Sequence, residues 1–346
     1  MKSLRAAKLC ISNVDDPWAR SVQRMEDGMT LTSAIAILIL IFSCCAPVRS
    51  ATITSGYDYP STMHVAPGQV VTLFVPGAGK NSPGRVEAGS VPLPTSLAGL
   101  SVTLRQSVSL SPVPVPIFSV AAVNACTYGV GLCGDVRSVY AAITVQIPFE
   151  LEPYLFGPPT FAALVVRENG VDIAAFPVLG EPYHIHVLRA CDSILSQPTP
   201  FRLTSFCDPV VTHADGTLIS KLSPAKADEI LILYAVGLGA VSPRVRTGES
   251  VSTAAQAVPM SMGFDFNSNA SAKLPPLLAE RSIYSGLTPW LVGLYQVNFK
   301  VPAVPPNTPG CSSEVRSNLT VTIGVHAGSF GTGASFDGAG ICVKPD

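Results

Sequence analysis

Apolar and polar positions alternate in short runs along this chain, and most runs stop at proline or glycine. Leu100-Ser-Val-Thr-Leu104 alternates with period two, as a strand with one buried face requires. Ala141-Ala-Ile-Thr-Val-Gln-Ile147 does the same and stops at Pro148. Gln69 to Val75 is β-branched and aromatic and ends at Pro76-Gly77. Ala162 to Arg167, a turn at Glu168-Asn-Gly170 and Val171 to Phe176 predict a hairpin, because Asn-Gly between apolar runs supplies the two left-handed residues of a tight turn. A second hairpin is expected around Ala214-Asp-Gly216. Further strands are expected at Tyr183–Leu188, Ile230–Val236, Val258–Phe266, Gly293–Val301 and Asn318–Val325. No stretch carries an amphipathic helical pattern longer than two turns. The pattern predicts an all-β chain of sandwich type.

The strands repeat. Val65 to Phe74, followed by Gly77-Ala-Gly79, is echoed by Ala227 to Tyr234 and Gly237-Leu-Gly239. Pro116-Ile-Phe-Ser119 is echoed by Ser282-Ile-Tyr-Ser285, and Ile143 to Pro148 by Val297 to Pro302. The echoes keep one order, each about 160 residues after its original. Two copies of one β-rich module are expected, a first sandwich over 51–190 and a second over 224–346. Residues 191–223 are read as a linker with a hairpin, and 1–50 as a targeting segment.

Composition sharpens location. Leu31 to Phe42 is a mostly apolar run. It is shorter than the about 20 residues that span a bilayer, and it suits the core of a signal peptide. Val48-Arg-Ser50 before Ala51 is an acceptable cleavage site, Ile41-Phe-Ser-Cys44 loosely suggests lipidation, and an uncleaved anchor is a third arrangement. Charged residues make up 13% of the chain and the net charge is −1, so no field steers it to nucleic acid. Of nine cysteines, Cys10, Cys44 and Cys45 precede Ala51. The other six allow about 15 pairings. Their spacing favours local bridges Cys126–Cys133, Cys191–Cys207 and Cys311–Cys342, stable in an oxidising compartment; buried free thiols are the alternative.

The runs Glu229 to Pro243, Thr247-Gly248 and Tyr284 to Pro302, with Leu93 to Thr103 and Val145-Gln-Ile-Pro148, resemble an uncharacterised C-terminal domain family of secreted acidobacterial proteins. The Gly-Leu-Tyr-Gln-Val-Asn block ending at Asn298 is its most specific part. The resemblance spans about residues 60–343. It implies two tandem immunoglobulin-like β-sandwich domains, distantly like those of transcription-factor and plexin type, on an exported protein, and it implies no reaction. Two departures stand out. A Cys126–Cys133 insertion interrupts the first copy, and the domain fills nearly the whole protein rather than a tail.

Candidate chemistry is sparse. Gly77-Ala-Gly-Lys-Asn-Ser82 lacks the spacing and the hydroxyl of a phosphate loop. His184-x-His186 puts two imidazoles on one strand face, but no third ligand stands at ligand spacing. No Gly-x-Ser-x-Gly elbow is present, and Glu150, Glu152, Glu168 and Asp172 read as turn or strand-end residues. Tyr284, Trp290 and Tyr295 offer either a stacking surface or core, and alternation puts Tyr295 with Val297 and Phe299 on one inward face. Tyr284 and Trp290 remain the binding candidates. No catalytic residue, metal or cofactor is assigned. The expected protein is a non-catalytic binding or structural module, secreted or in the cell envelope. Its partner is a surface protein or glycan, with no nucleic acid, and membrane contact comes only through the N-terminal segment or a lipid anchor. The competing readings are a secreted hydrolase with an unrecognised site and an accessory domain of a secreted enzyme.

Overall fold

A computed structural model describes residues 63–79, 84–107, 109–124, 139–153, 162–192, 207–270, 280–325 and 335–345. The expected targeting segment 1–50 and the Cys126–Cys133 bridge lie outside the described residues. Those residues form nineteen strands and no helix. In chain order they are β1 (Met63–Val65), β2 (Val70–Pro76), β3 (Arg85–Glu87), β4 (Ser96–Leu97), β5 (Leu100–Gln106), β6 (Ser109–Val115), β7 (Ile117–Asn124), β8 (Val139–Gln146), β9 (Ala162–Glu168) and β10 (Val171–Gly180). There follow β11 (His186–Val187), β12 (Val211–Thr212), β13 (Ile230–Val236), β14 (Ser261–Asp265), β15 (Glu280–Arg281), β16 (Tyr284–Leu287), β17 (Tyr295–Lys300), β18 (Leu319–Val325) and β19 (Ser335–Ile341). The chain is all-β, as its pattern predicts.

Four sheets pack in pairs. Sheet β2-β8-β7-β3 faces sheet β1-β10-β9-β5-β4, with β6 also on β5. The first core lies between them, where Leu73, Ile143 and Val145 meet Leu104, Leu164 and Phe176. Sheet β13-β17-β16 faces sheet β15-β14-β18-β19 over a second core of Leu233, Val297 and Phe299 with Met262, Val321 and Ile341. Strand β5 shows the cause locally. Leu100, Val102 and Leu104 are buried, while Arg105 reaches solvent. The β9–β10 hairpin turns at Asn169 and Gly170, whose φ angles of 51° and 84° are those of the mirror-image turn that suits strand twist.

The repeat is visible in the register. Thr72 pairs with Thr144 in the first half, and the echo positions Ile232 and Asn298 pair in the second. Gly77, Gly79, Gly237 and Gly239, which follow the two equivalent strands, all have φ between 64° and 78°. Each half is also closed by a parallel pairing of its first and last segments, Val65 with Gly180 and Ala225 with Val343.

One strand departs from expectation. The strand expected at Tyr183–Leu188 shortens to β11 and pairs with β13, in the sheet of the second half rather than the first. In the connector, β12 pairs with β13 and carries the expected hairpin through Thr212 and Leu218. Together β11 and β12 cover the outer edge of β13, which would otherwise offer unpaired backbone. Disulfides Cys191–Cys207 and Cys311–Cys342 form as the spacing suggests, each with Cα atoms 5.9 Å apart. The first closes the connector, and the second ties the loop before β18 to the end of β19.

Candidate binding surface

The loop between β16 and β17 carries Trp290. Thr288 N donates to Leu294 O at 2.8 Å, and Trp290 N donates to Val251 O at 2.7 Å. These bonds hold Trp290 at φ 67°, a left-handed conformation costly for a bulky residue. Its side chain is 70% exposed and Leu291 beside it is 46% exposed. The loop lies close on the first half because Gly293 lacks a side chain: a Cβ there would stand 2.7 Å from Val70.

Beneath Leu291 lies a groove of about 380 Å³. Val70 and Phe118 from the first half and Val236 and Leu294 from the second form apolar walls, with Arg85 and Glu87 beside them. That size matches a small-ligand or side-chain pocket. The Arg85 guanidinium donates to Glu87 at 2.8 Å, so the charges at this side are mutually paired.

The three aromatics of the second copy separate. Tyr295 is fully buried, its hydroxyl donates to the Gly239 carbonyl, and burial pushes its pKa up. Tyr284 is half-buried on β16. Its hydroxyl donates to Leu287 O at 3.0 Å, and burial raises its pKa as well. Trp290 alone of the three projects into solvent.

The histidines lie in separate polar networks. His184 Nδ1 stands 3.1 Å from Gln69 Nε2, and its ring is 6.2 Å from that of His64, which pairs with Glu181. His186 is buried, 2.9 Å from Asp192 and 3.5 Å from Asp337. Asp192 and Asp337 also accept from the backbone N–H groups of Arg189 and Val187, so both carboxylates serve the chain path. The His184-x-His186 pair therefore does not converge on one point. Among the described residues no three His, Cys, Asp or Glu side chains are grouped to hold a metal.

Folding brings together a Ser223–His213–Glu229 cluster that no motif foreshadowed. His213 Nδ1 bonds Glu229 Oε1, and Nε2 stands 3.3 Å from the Ser223 carbonyl oxygen and 3.1 Å from its hydroxyl. The residue types suit a nucleophile, a base and an orienting acid. The backbone at the serine does not. Ser223 N is occupied by Ser220, and residue 224 is a proline with no N–H, so the backbone donors of an oxyanion hole are missing at this serine. Burial pulls the His213 pKa down, but the hydrogen bonds to Glu229 and Ser223 outweigh it and the pKa is raised. Burial acts upward on Glu229, and the bonds from His213 and the Lys226 N–H leave its pKa lowered.

The cluster is thus a clip between connector and β13, with a definite pH signature. The raised histidine contributes stability fully below its unfolded value of 6.5 and loses it as pH rises through the folded value. The lowered glutamate contributes above 4.5 and loses its share as pH falls through the folded value. Denaturant unfolding should show this pair strongest between pH 4.5 and 6.5. His213→Gln should remove about 1–2 kcal/mol in that window and less at pH 8. An equal loss at every pH would show the effect to be packing alone.

No family model matches the chain, and no curated protein matches it. Among solved structures, a chain titled BspA_C_WT aligns over 81% of this chain and 95% of its own length, at 10% identity and a TM-score of 0.15.

Proposed function

We propose that this is an exported, non-catalytic protein of two β-sandwich modules, acting as a binding or structural module at the cell surface, with Trp290 and the adjoining groove as its contact surface. The observation that carries the reading is Trp290 itself. Its backbone is held at φ 67° by hydrogen bonds while its side chain stands 70% exposed beside an apolar groove. A large aromatic held in a costly conformation without being buried is a sign of use outside the fold. Two disulfides and the apolar Leu31–Phe42 run support export to an oxidising compartment. The occupied Ser223 N–H and the proline at 224 weigh against hydrolysis at the cluster best suited to it by residue type.

Glycan and peptide arrays probed with wild type and Trp290→Gly test the reading. Glycine takes the left-handed conformation freely, so Trp290→Gly should unfold at a slightly higher temperature, by about 1 kcal/mol, and bind several-fold more weakly. Undiminished binding by Trp290→Gly would overturn the assignment of the contact surface. Turnover of ester, glycoside or peptide substrates by wild type would overturn the non-catalytic reading.

A further inference from the structure

The outer face of sheet β13-β17-β16 leads away from the groove. Pairing fixes which side chains share it. Tyr284, Asn298, Ile232 and Thr212 stand in one row across the strands, and Gly286, Gln296 and Tyr234 in the next. By alternation, Val236 on β13 and Leu294 before β17 continue the same face into the groove wall. Tyr284, Ile232, Tyr234, Gln296 and Asn298 are each only partly buried.

Three observations give this face a chemistry. First, the Tyr284 ring lies down along its strand. A Cβ at Gly286 would stand 2.6 Å from its hydroxyl oxygen and 2.9 Å from the ring carbon bearing it, and the hydroxyl is tied to Leu287 O. The glycine leaves room for the hydroxyl end of this half-buried ring beside the Ala255 carbonyl. Second, Gln296 Nε2 donates to Asn298 Oδ1 at 3.2 Å, which leaves Gln296 Oε1 to accept and Asn298 Nδ2 to donate side by side. Third, the face is neutral. Lys300 at its end is paired with Asp228 at 2.7 Å.

The edges decide what kind of ligand fits. A peptide joining this sheet as an added strand needs a free edge. The β16 edge is taken by residues 255–257, with Ala257 N donating to Ser285 O and Leu287 N to Ala255 O, both at 2.9 Å. The β13 edge is taken by β11 and β12. Recognition here works through the face. An uncharged face with a flat aromatic and a paired donor and acceptor matches the apolar ring faces and adjacent hydroxyls of a sugar.

We propose that this face binds a neutral oligosaccharide chain, laid across β16, β17 and β13 with one sugar on Tyr284 and the hydroxyls of the next on Gln296 and Asn298. This rests on the proposed contact surface and names its ligand class. The test is calorimetric titration of the full chain with cellohexaose, laminarihexaose, mannohexaose and chitohexaose, with heparin and a neutral hexapeptide for contrast. At least one neutral hexasaccharide should bind. Gln296→Ala and Asn298→Ala should each weaken it about tenfold, with thermal midpoints unchanged. Asn298→Asp, which keeps the size and adds charge, should do the same. Absence of binding across the neutral sugars, preference for heparin, or binding undiminished in all three variants would overturn the proposal. If the arrays show a Trp290-dependent peptide ligand while the sugars fail, the sugar proposal falls and the contact surface stands.

Discussion

Gly237→Ala is expected to destabilise the protein by about 4 kcal/mol or more, which lowers its thermal midpoint by about 10 °C. Two effects add. The residue sits at φ 78°, where any side chain is strained. A Cβ there would also stand within bonding distance of the His184 carbonyl, a backbone group that cannot swing aside. His184 N donates to Gly237 O at 2.9 Å, so the two backbones are already as close as a hydrogen-bonded turn allows. Scanning calorimetry checks this. Gly216→Ala is the control, since its φ is 87° but nothing lies within 4 Å of the added Cβ. That variant should cost only about 1 kcal/mol. Equal losses would mean that backbone strain, not the approach of the His184 backbone, dominates at Gly237.

Tyr295→Ala should cost about 3–5 kcal/mol, as for other large buried aromatics. Tyr295→Phe separates the ring from the hydroxyl. Gly239 O accepts from that hydroxyl, and a Cβ at Gly68 would stand 2.8 Å from the same oxygen. The oxygen thus sits where a first-half turn meets a second-half turn. Its removal leaves a carbonyl short of a partner, at about 1–3 kcal/mol. Urea titration measures both variants. A neutral Tyr295→Phe would show the contact to be apolar packing only.

Much of the strand pattern was legible because it is local. Asn169-Gly170 between apolar runs is a two-residue turn by backbone chemistry alone, and alternation put Tyr295 on the inward face with Val297 and Phe299. Strands β6, β7, β16 and β19 were not foreseen; in β6 the prolines of Ser111-Pro-Val-Pro-Val-Pro116 read as a loop. Tyr-Ser-Gly-Leu and Ser-Phe-Asp-Gly-Ala-Gly-Ile are rich in small residues with weak strand preference, and their neighbours hold them extended. The destination of β11 was illegible for a different reason. Period two tells which side of a strand is buried, not which sheet the strand joins. The amide pair escaped notice because it depends on neighbours two positions apart pointing the same way on a face, with little composition signal. The His213 clip joins residues 10 and 16 positions apart through a turn whose closure no spacing rule specifies.

The parallel closures at Val65–Gly180 and Ala225–Val343 have a consequence for a chain delivered end first. Neither half has its full hydrogen-bond set until its last strand arrives, so more than a hundred residues emerge before the first half can lock. Until then the partner strand of each closing pair offers an unpaired edge. The closing pairs form near residue 180 and near residue 343, and the first core still takes Leu188 and Val236 from beyond its own closing strand.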